Sequence, residues 1–192
     1  MSAPIPFAQQ TTVGGYRCEE VASAVQKSIR RADTDAALFW ATELDLSGFG
    51  EYVWKRLRII ASEDIGPADP WVAVELRALY DNWLDQRSKK DSRHAPERLF
   101  LVDAVMRLCS AAKTRTVDNA LVVFYEGARL RREIPDYALD RHTSRGRASG
   151  RGWGHFFTEG AKLRPECPGD PYAAAAQSIR RDAGTQTELP ET

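Results

Sequence analysis

Two groups of side chains in this 192-residue sequence have the types and spacing for chemistry. The first is Ser62-Glu63-Asp64 with Asp69, three carboxylates gathered around the end of a helix and the turn after it. Carboxylates placed in this way can pair with Arg56 or Arg58 across a subunit contact, or hold a metal ion. A plainer use is local: Asp64 and Asp69 satisfy backbone N–H groups in the turn and start the next helix. Acid–base catalysis would need a second carboxyl tuned apart from the first, and the flanking residues supply none. An enzyme would have to bring Glu63, Asp64 and His142 into one cleft.

The second group is Arg141, His142, Arg145, Arg147 and Arg151, spaced by Gly, Ser and Ala and followed by Trp153, His155, Phe156 and Phe157. Glycine lets a backbone approach a phosphate, arginine grips phosphate through a forked pair of donors, and an aromatic ring stacks on an exposed base. That set suits single-stranded or junction DNA. The alternative is a loop wrapped over a helical core, with Trp153 and the phenylalanines as anchors and the arginines in water. Two further basic clusters, Arg30-Arg31 and Lys55-Arg56-x-Arg58, read either as a binding patch or as solvated helix faces paired weakly with Asp33, Asp35, Glu43 and Glu51.

Other chemistry finds no support. His94, His142 and His155 do not form a ligand set, and Cys18, Cys109 and Cys167 are far apart with no C-x-x-C pair. Neither a zinc site nor a disulfide framework is expected, and the thiols suit a reducing, cytoplasmic setting. No G-x-S-x-G elbow and no G-x-x-x-x-G-K-[ST] phosphate loop occurs. The expectation is therefore a non-enzyme with no cofactor and no metal. The 27 basic and 27 acidic residues cancel, so any affinity for nucleic acid must come from a local patch. The N-terminal residues do not read as a signal peptide. No apolar run approaches the roughly 20 residues that span a bilayer.

Positioning these residues falls to helices. Val21, Ala24/Val25 and Ile29 recur at helical spacing over Cys18–Arg31. Asp33 caps a second helix with the stripe Ala37, Trp40/Ala41 and Leu44. A third covers Glu51–Ser62, with Val53, Leu57 and Ile60/Ala61 inward, and Gly66-Pro67 ends it. Pro70 opens a fourth, with Val72, Leu76, Leu79/Tyr80 and Trp83 on one face, closing in the polar run Gln86–Ser92. Pro96 opens a fifth, with Leu99, Val102, Met106 and Cys109 expected inside. A sixth is expected over Val117–Arg132, with Ala120, Phe124 and Gly127 inward. Some of Trp40, Trp54, Trp71 and Trp83 belong to the core, and one or two suit an interface. From Ile134 helical periodicity fades, a short helix fits Tyr172–Arg181, and the end from Gly184 reads as disordered. The expected organisation is an extended lead-in over residues 1–16, an all-α bundle of about six helices with a wrapped segment over 17–165, and a partly disordered tail over 166–192.

Two runs, QKSIRRADTDAALFWATEL and WKRLRIIASEDIGPADP, resemble the segment that follows the ATPase module in the replication-associated recombination protein A (MgsA) family. A looser likeness lies in IPDYALDRHTSRGRASGRGWGHFF, similar to that family's closing proline, Asp-x-His and Gly/Lys-rich stretch. Ala111-Ala112-Lys113-Thr114 answers its Pro-Lys-Ser loop. The resemblance covers roughly Val21 to Phe157, and ASEDIG-x-ADP is its specific part. It departs in Pro67, where an apolar residue is usual, and in arginines where relatives carry lysine. The resemblance implies a helical bundle like the collar of clamp-loader-type AAA+ ATPases, self-assembling as a tetramer or dimer, or docking on an AAA+ ATPase or replication protein, in replication or repair. On that reading Arg56, Arg58, Glu63, Asp64 and Asp69 lie at an interface. The alternative is a DNA-binding module using residues 141–157, with Arg141, His142, Arg145, Arg147, Arg151 and Trp153 as its contacts.

Overall fold

The chain is seen in a computed structural model that describes residues 5–88, 95–129 and 131–186, with side chains as far as Arg180. His94 and the end of the polar run after Ser88 lie outside the described residues. Every regular element among the described residues is helical; extended pairing is confined to one bridge between Thr11 and Arg17. The all-α reading therefore holds. Two compact units separate, Met1–Arg129 and Leu130–Thr192.

In the first unit, α1 (Cys18–Arg30) buries Val21, Ala22, Val25 and Ile29. Glu19 and Glu20 sit in its first turn and Lys27 and Arg30 in its last, each matching the helix dipole. The Asp33 carboxylate accepts the Ala36 N–H at 3.1 Å and caps α2 (Thr34–Leu44), as its sequence position suggests. Gly48, at φ 86°, turns the chain from α2 into α3 (Gly50–Ile60). There Val53, Trp54, Leu57 and Ile60 face inward. α4 (Val72–Ser88) adds Val72, Leu76 and Trp83. The Trp54 ring lies 5.9 Å from Trp83 and 5.5 Å from Tyr80, and the Arg58 guanidinium rests on the outer Tyr80 ring.

Two expectations about this unit are corrected. In α5 (Glu97–Ser110) the buried face is Leu101, Ala104, Val105, Leu108 and Cys109, while Leu99 and Met106 are exposed. The run Leu99-Phe100-Leu101-Val102 offers two overlapping stripes, and packing against α4 and α2 selects the one that periodicity did not. The sixth helix is also shorter than expected: α6 (Thr116–Leu121) widens into a π-type turn over Val122–Glu126 and ends at Gly127. Ala120, Phe124 and Gly127, expected inward, all face solvent.

The second unit holds short helices where none was expected: α7 (Ser144–Ala148) and α8 (Trp153–His155), the latter widening over Phe156–Gly160. Pieces this short carry no readable periodicity. α9 (Ala173–Gln186) extends the helix expected near Tyr172 into the run read as disordered; residues 187–192 lie outside the described set. Among the described residues no helix is long and apolar enough to cross a membrane.

Candidate functional site

The ASEDIG run folds as it does because of Gly66. After α3 the chain widens over Ala61–Ile65, and Gly66 then adopts φ 48°, ψ −124°, a conformation open essentially to glycine alone. A Cβ on Gly66 would lie 2.8 Å from Val117 Cγ2, so the turn also packs tightly on α6. This turn drives Asp64 inward to 1% exposure and leaves Glu63 partly open. Asp69 stays in the turn, where its carboxylate accepts the Trp71 N–H at 3.2 Å.

Asp64 is thus a different group from the local turn cap that its position suggested. Its Oδ1 accepts Arg30 Nε at 2.8 Å and Arg115 Nη1 at 3.0 Å; its Oδ2 accepts Gln26 Nε2 at 3.1 Å and Arg30 Nη2 at 3.2 Å. Its carbonyl accepts the Thr114 N–H at 2.9 Å. Glu63 Oε1 takes one further donor from each arginine, both at 3.2 Å. Arg115 also binds Asp118, and Arg56 Nη2 donates to the Gln26 side-chain oxygen Oε1. The cluster ties α1, the turn after α3 and the start of α6 into one piece. Burial alone would raise the Asp64 carboxyl, but the donors from Arg30, Gln26 and Arg115, with the Arg30 charge, outweigh it and hold the group below its ordinary value of 3.8. A carboxylate so pinned in its charged form is suited to structure rather than to proton transfer.

Beside the cluster an open groove lies between α3 and α6. Ile59, Val117 and Leu121 give it an apolar lining; α3 adds Lys55 and Arg58, while Glu63 and Asp118 bring acid. The apolar surface continues along the wide turn, where Val122, Val123, Phe124 and Tyr125 are all exposed, Phe124 by 64%. Trp71 and Leu99 are also exposed, by 69% and 70%.

In the second unit the Arg/Gly segment divides by task. Arg151 donates to the carbonyls of Asp136 (2.8 Å) and Leu139 (2.7 Å) and to the Asp136 carboxylate. Arg147 donates to the Arg141 carbonyl at 3.1 Å. Arg141 lies 3.7 Å from the Trp153 ring centre, and Phe157 stacks on the same ring system at 5.6 Å. His142 Nδ1 is 2.9 Å from Asp140 Oδ2, and its ring packs edge-on against Trp153 and Phe156. Hydrogen bonding to His142 is the chief cause that lowers the Asp140 carboxyl. Of the residues named as nucleic-acid contacts, only Arg145 has its guanidinium without a partner among the described residues. Glu63 and Asp64 belong to the first unit and His142 to the second, and each is engaged inside its own unit. No three His, Cys, Asp or Glu side chains converge among the described residues.

Sequence reasoning missed Gln26 and Arg115 and gave Arg30 the wrong partners. Arg115 carried one usable signal, its i,i+3 spacing to Asp118; nothing local ties Gln26 or Arg30 to a carboxylate more than 30 residues away.

Comparison with known proteins adds a third line. Residues 31–162 match the family described as MgsA AAA+ ATPase C terminal. Replication-associated recombination protein A of Haemophilus influenzae is 33% identical over 129 residues, 67% of this chain and 27% of that protein. The Bacillus subtilis protein of the same name is 33% identical over 138 residues, 69% of this chain and 31% of its own length. That of Escherichia coli K12 is 32% identical over 129 residues, again 67% and 27%. The chain therefore spans less than a third of the length of these relatives. The matched region takes in the ASEDIG turn, Arg115 and α6.

Proposed function

Because this chain belongs to the MgsA AAA+ ATPase C-terminal family, we propose that it is a non-catalytic assembly module serving DNA replication or recombination repair, and that its contact surface is the groove and apolar ridge of α6. The observation that carries this reading is the unbroken exposed run Leu121–Tyr125 beside an apolar groove. Soluble domains rarely leave such a surface uncovered without a partner.

A second copy of the chain suits it best. The groove is lined by two bases, Lys55 and Arg58 on α3, and two acids, Glu63 after α3 and Asp118 on α6, the acids also held by Arg30 and Arg115. A two-fold pairing sets the acid of one copy against the base of the other, which is what an isologous contact requires. Leu121, 49% exposed in one copy, and Phe124, 64% exposed, then act as apolar anchors, each contributing on the order of 1–2 kcal/mol when that remaining surface is covered. Arg58 and Glu63 keep their interface role on this reading, while Asp64 supports the surface from beneath. The non-catalytic assignment is supported by Asp64 being locked as a carboxylate. Docking on an AAA+ ATPase through the same surface, in the cytoplasm, is the corresponding role with a different partner.

Light scattering on a sizing column, at tens of micromolar protein, tests the proposal. A dimer or tetramer is expected, and Leu121→Asp with Phe124→Asp should convert it to a monomer of unchanged helicity. A parent chain that is monomeric, or a double variant of unchanged mass, overturns it.

A further inference from the structure

The second unit carries a feature that the assembly reading does not use. Arg131, Arg132 and Arg145 line one concavity of about 600 Å³, together with Glu133 and Ile134. None of the three guanidinium groups has a hydrogen-bond or ion-pair partner among the described residues, and Glu133 pairs with none of them. This sets them apart from Arg147 and Arg151, whose donors are spent on the carbonyls of Asp136, Leu139 and Arg141.

The spent arginines explain the placement of a free one. Arg151 ties Asp136 to Leu139, and Arg147 ties α7 back to Arg141. Gly146 sits so close to Asp140 that a Cβ would fall 1.8 Å from its carbonyl oxygen. Thr143 Oγ1 accepts the Gly146 N–H at 3.0 Å. The backbone around Arg145 is therefore fixed, and its side chain projects from a braced helix into the concavity. Three unpaired cations converging on one recess repel one another, and an anion that accepts several forked donors relieves that repulsion.

We propose that the recess of Arg131, Arg132 and Arg145 is a phosphate-binding site. Its ligand is the phosphate group, carried either by a free polyphosphate or by a nucleic-acid backbone. One carboxylate among three arginines leaves a net positive recess, and guanidinium forks match phosphate oxygens in pairs. The site shifts phosphate contact from Arg141, Arg147 and Arg151, which hold the loop together, to the three arginines that hold nothing.

The test uses the full chain with two probes, inorganic pyrophosphate by calorimetry and a labelled 20-nucleotide single strand by fluorescence anisotropy, over a salt series. The triple variant Arg131→Ala, Arg132→Ala, Arg145→Ala is compared with Arg164→Ala, which removes an exposed arginine of the same unit outside the recess. Circular dichroism checks that the variants stay folded, and Arg145→Lys, which keeps the charge but loses the fork, provides a graded control. At least about a ten-fold loss of affinity in the triple variant, with Arg164→Ala unchanged, is expected. For the strand, the salt slope should fall by about 2, three phosphates at roughly 0.7 each. Pyrophosphate binding that shows this loss assigns a free polyphosphate; strand binding alone assigns the backbone. No binding of either probe, equal binding by the triple variant, or an equal loss in Arg164→Ala overturns the site.

Discussion

Arg30 on α1 and Asp64 in the turn after α3 meet through Nε and Oδ1 at 2.8 Å, the arginine one-third exposed and the carboxylate sealed at 1%. This asymmetry decides how the pair behaves. The acid has no route to water and depends wholly on its donors; each arginine keeps one side in solvent. Removing the acid and removing either base are therefore different injuries.

Asp64→Asn should be the most damaging single change in the cluster. It leaves Arg30 and Arg115 facing a neutral amide and places an NH2 group where arginine donors now point. A loss of about 3 kcal/mol is expected, in line with a broken buried ion pair. Glu63→Gln, at a site more than a quarter open to solvent, should cost under about 1 kcal/mol. Urea midpoints of the two variants check the contrast; equal midpoints would remove Asp64 from its central place.

The same carboxylate sets an acid limit on stability. Its folded value lies below its ordinary value of 3.8, so the folded state binds the proton less readily than the unfolded chain. Its contribution is complete above 3.8 and drains away as pH falls through the lowered folded value. Asp45 runs the other way: burial chiefly raises its carboxyl, against the pull of Arg98 and Arg87, so what it contributes is lost as pH rises through its folded value. Between pH 5 and pH 2 the parent chain should lose stability more steeply than Asp64→Asn does. Parallel curves in a thermal series would contradict this.

Gly146→Ala should loosen the loop that Arg147 and Arg151 brace. Its Cβ would fall 1.8 Å from a backbone oxygen, which cannot move aside as a side-chain tip can. Gly152→Ala, at φ −95° with nothing within 4 Å, is the matched control. Limited proteolysis between residues 136 and 151 should run about ten-fold faster in the first variant and unchanged in the second. Equal rates would mean the loop is held by other means.

Much of the first unit was legible because its signals are local. The stripes of α1, α2 and α4, the Asp33 cap and the break at Gly66-Pro67 each depend on residues within a turn or two. The errors came where two local answers were equally good. Leu99-Phe100-Leu101-Val102 serves either face of α5, and only α4 and α2 decide between them. Phe124 looked like core because aromatics on helices usually are, yet it lies exposed after the helix widens. The Asp64 cluster was illegible for a different reason: its donors come from residues 26, 30 and 115, and pairwise charge has no period to read. In the Arg/Gly segment the residue types were plain, but a bracing arginine and a free one are identical in sequence.

The two arginines of Asp64 reach it across 34 and 51 residues of chain. Loop-closure entropy grows with that separation, so contacts within the α1–α2 hairpin are favoured early and the Arg115 contact comes late. A nascent chain that has emerged only as far as α5 holds this acid with Arg30 and Gln26 alone. The first unit therefore reaches its full stability only once α6 arrives, and α6 brings Leu121 with it.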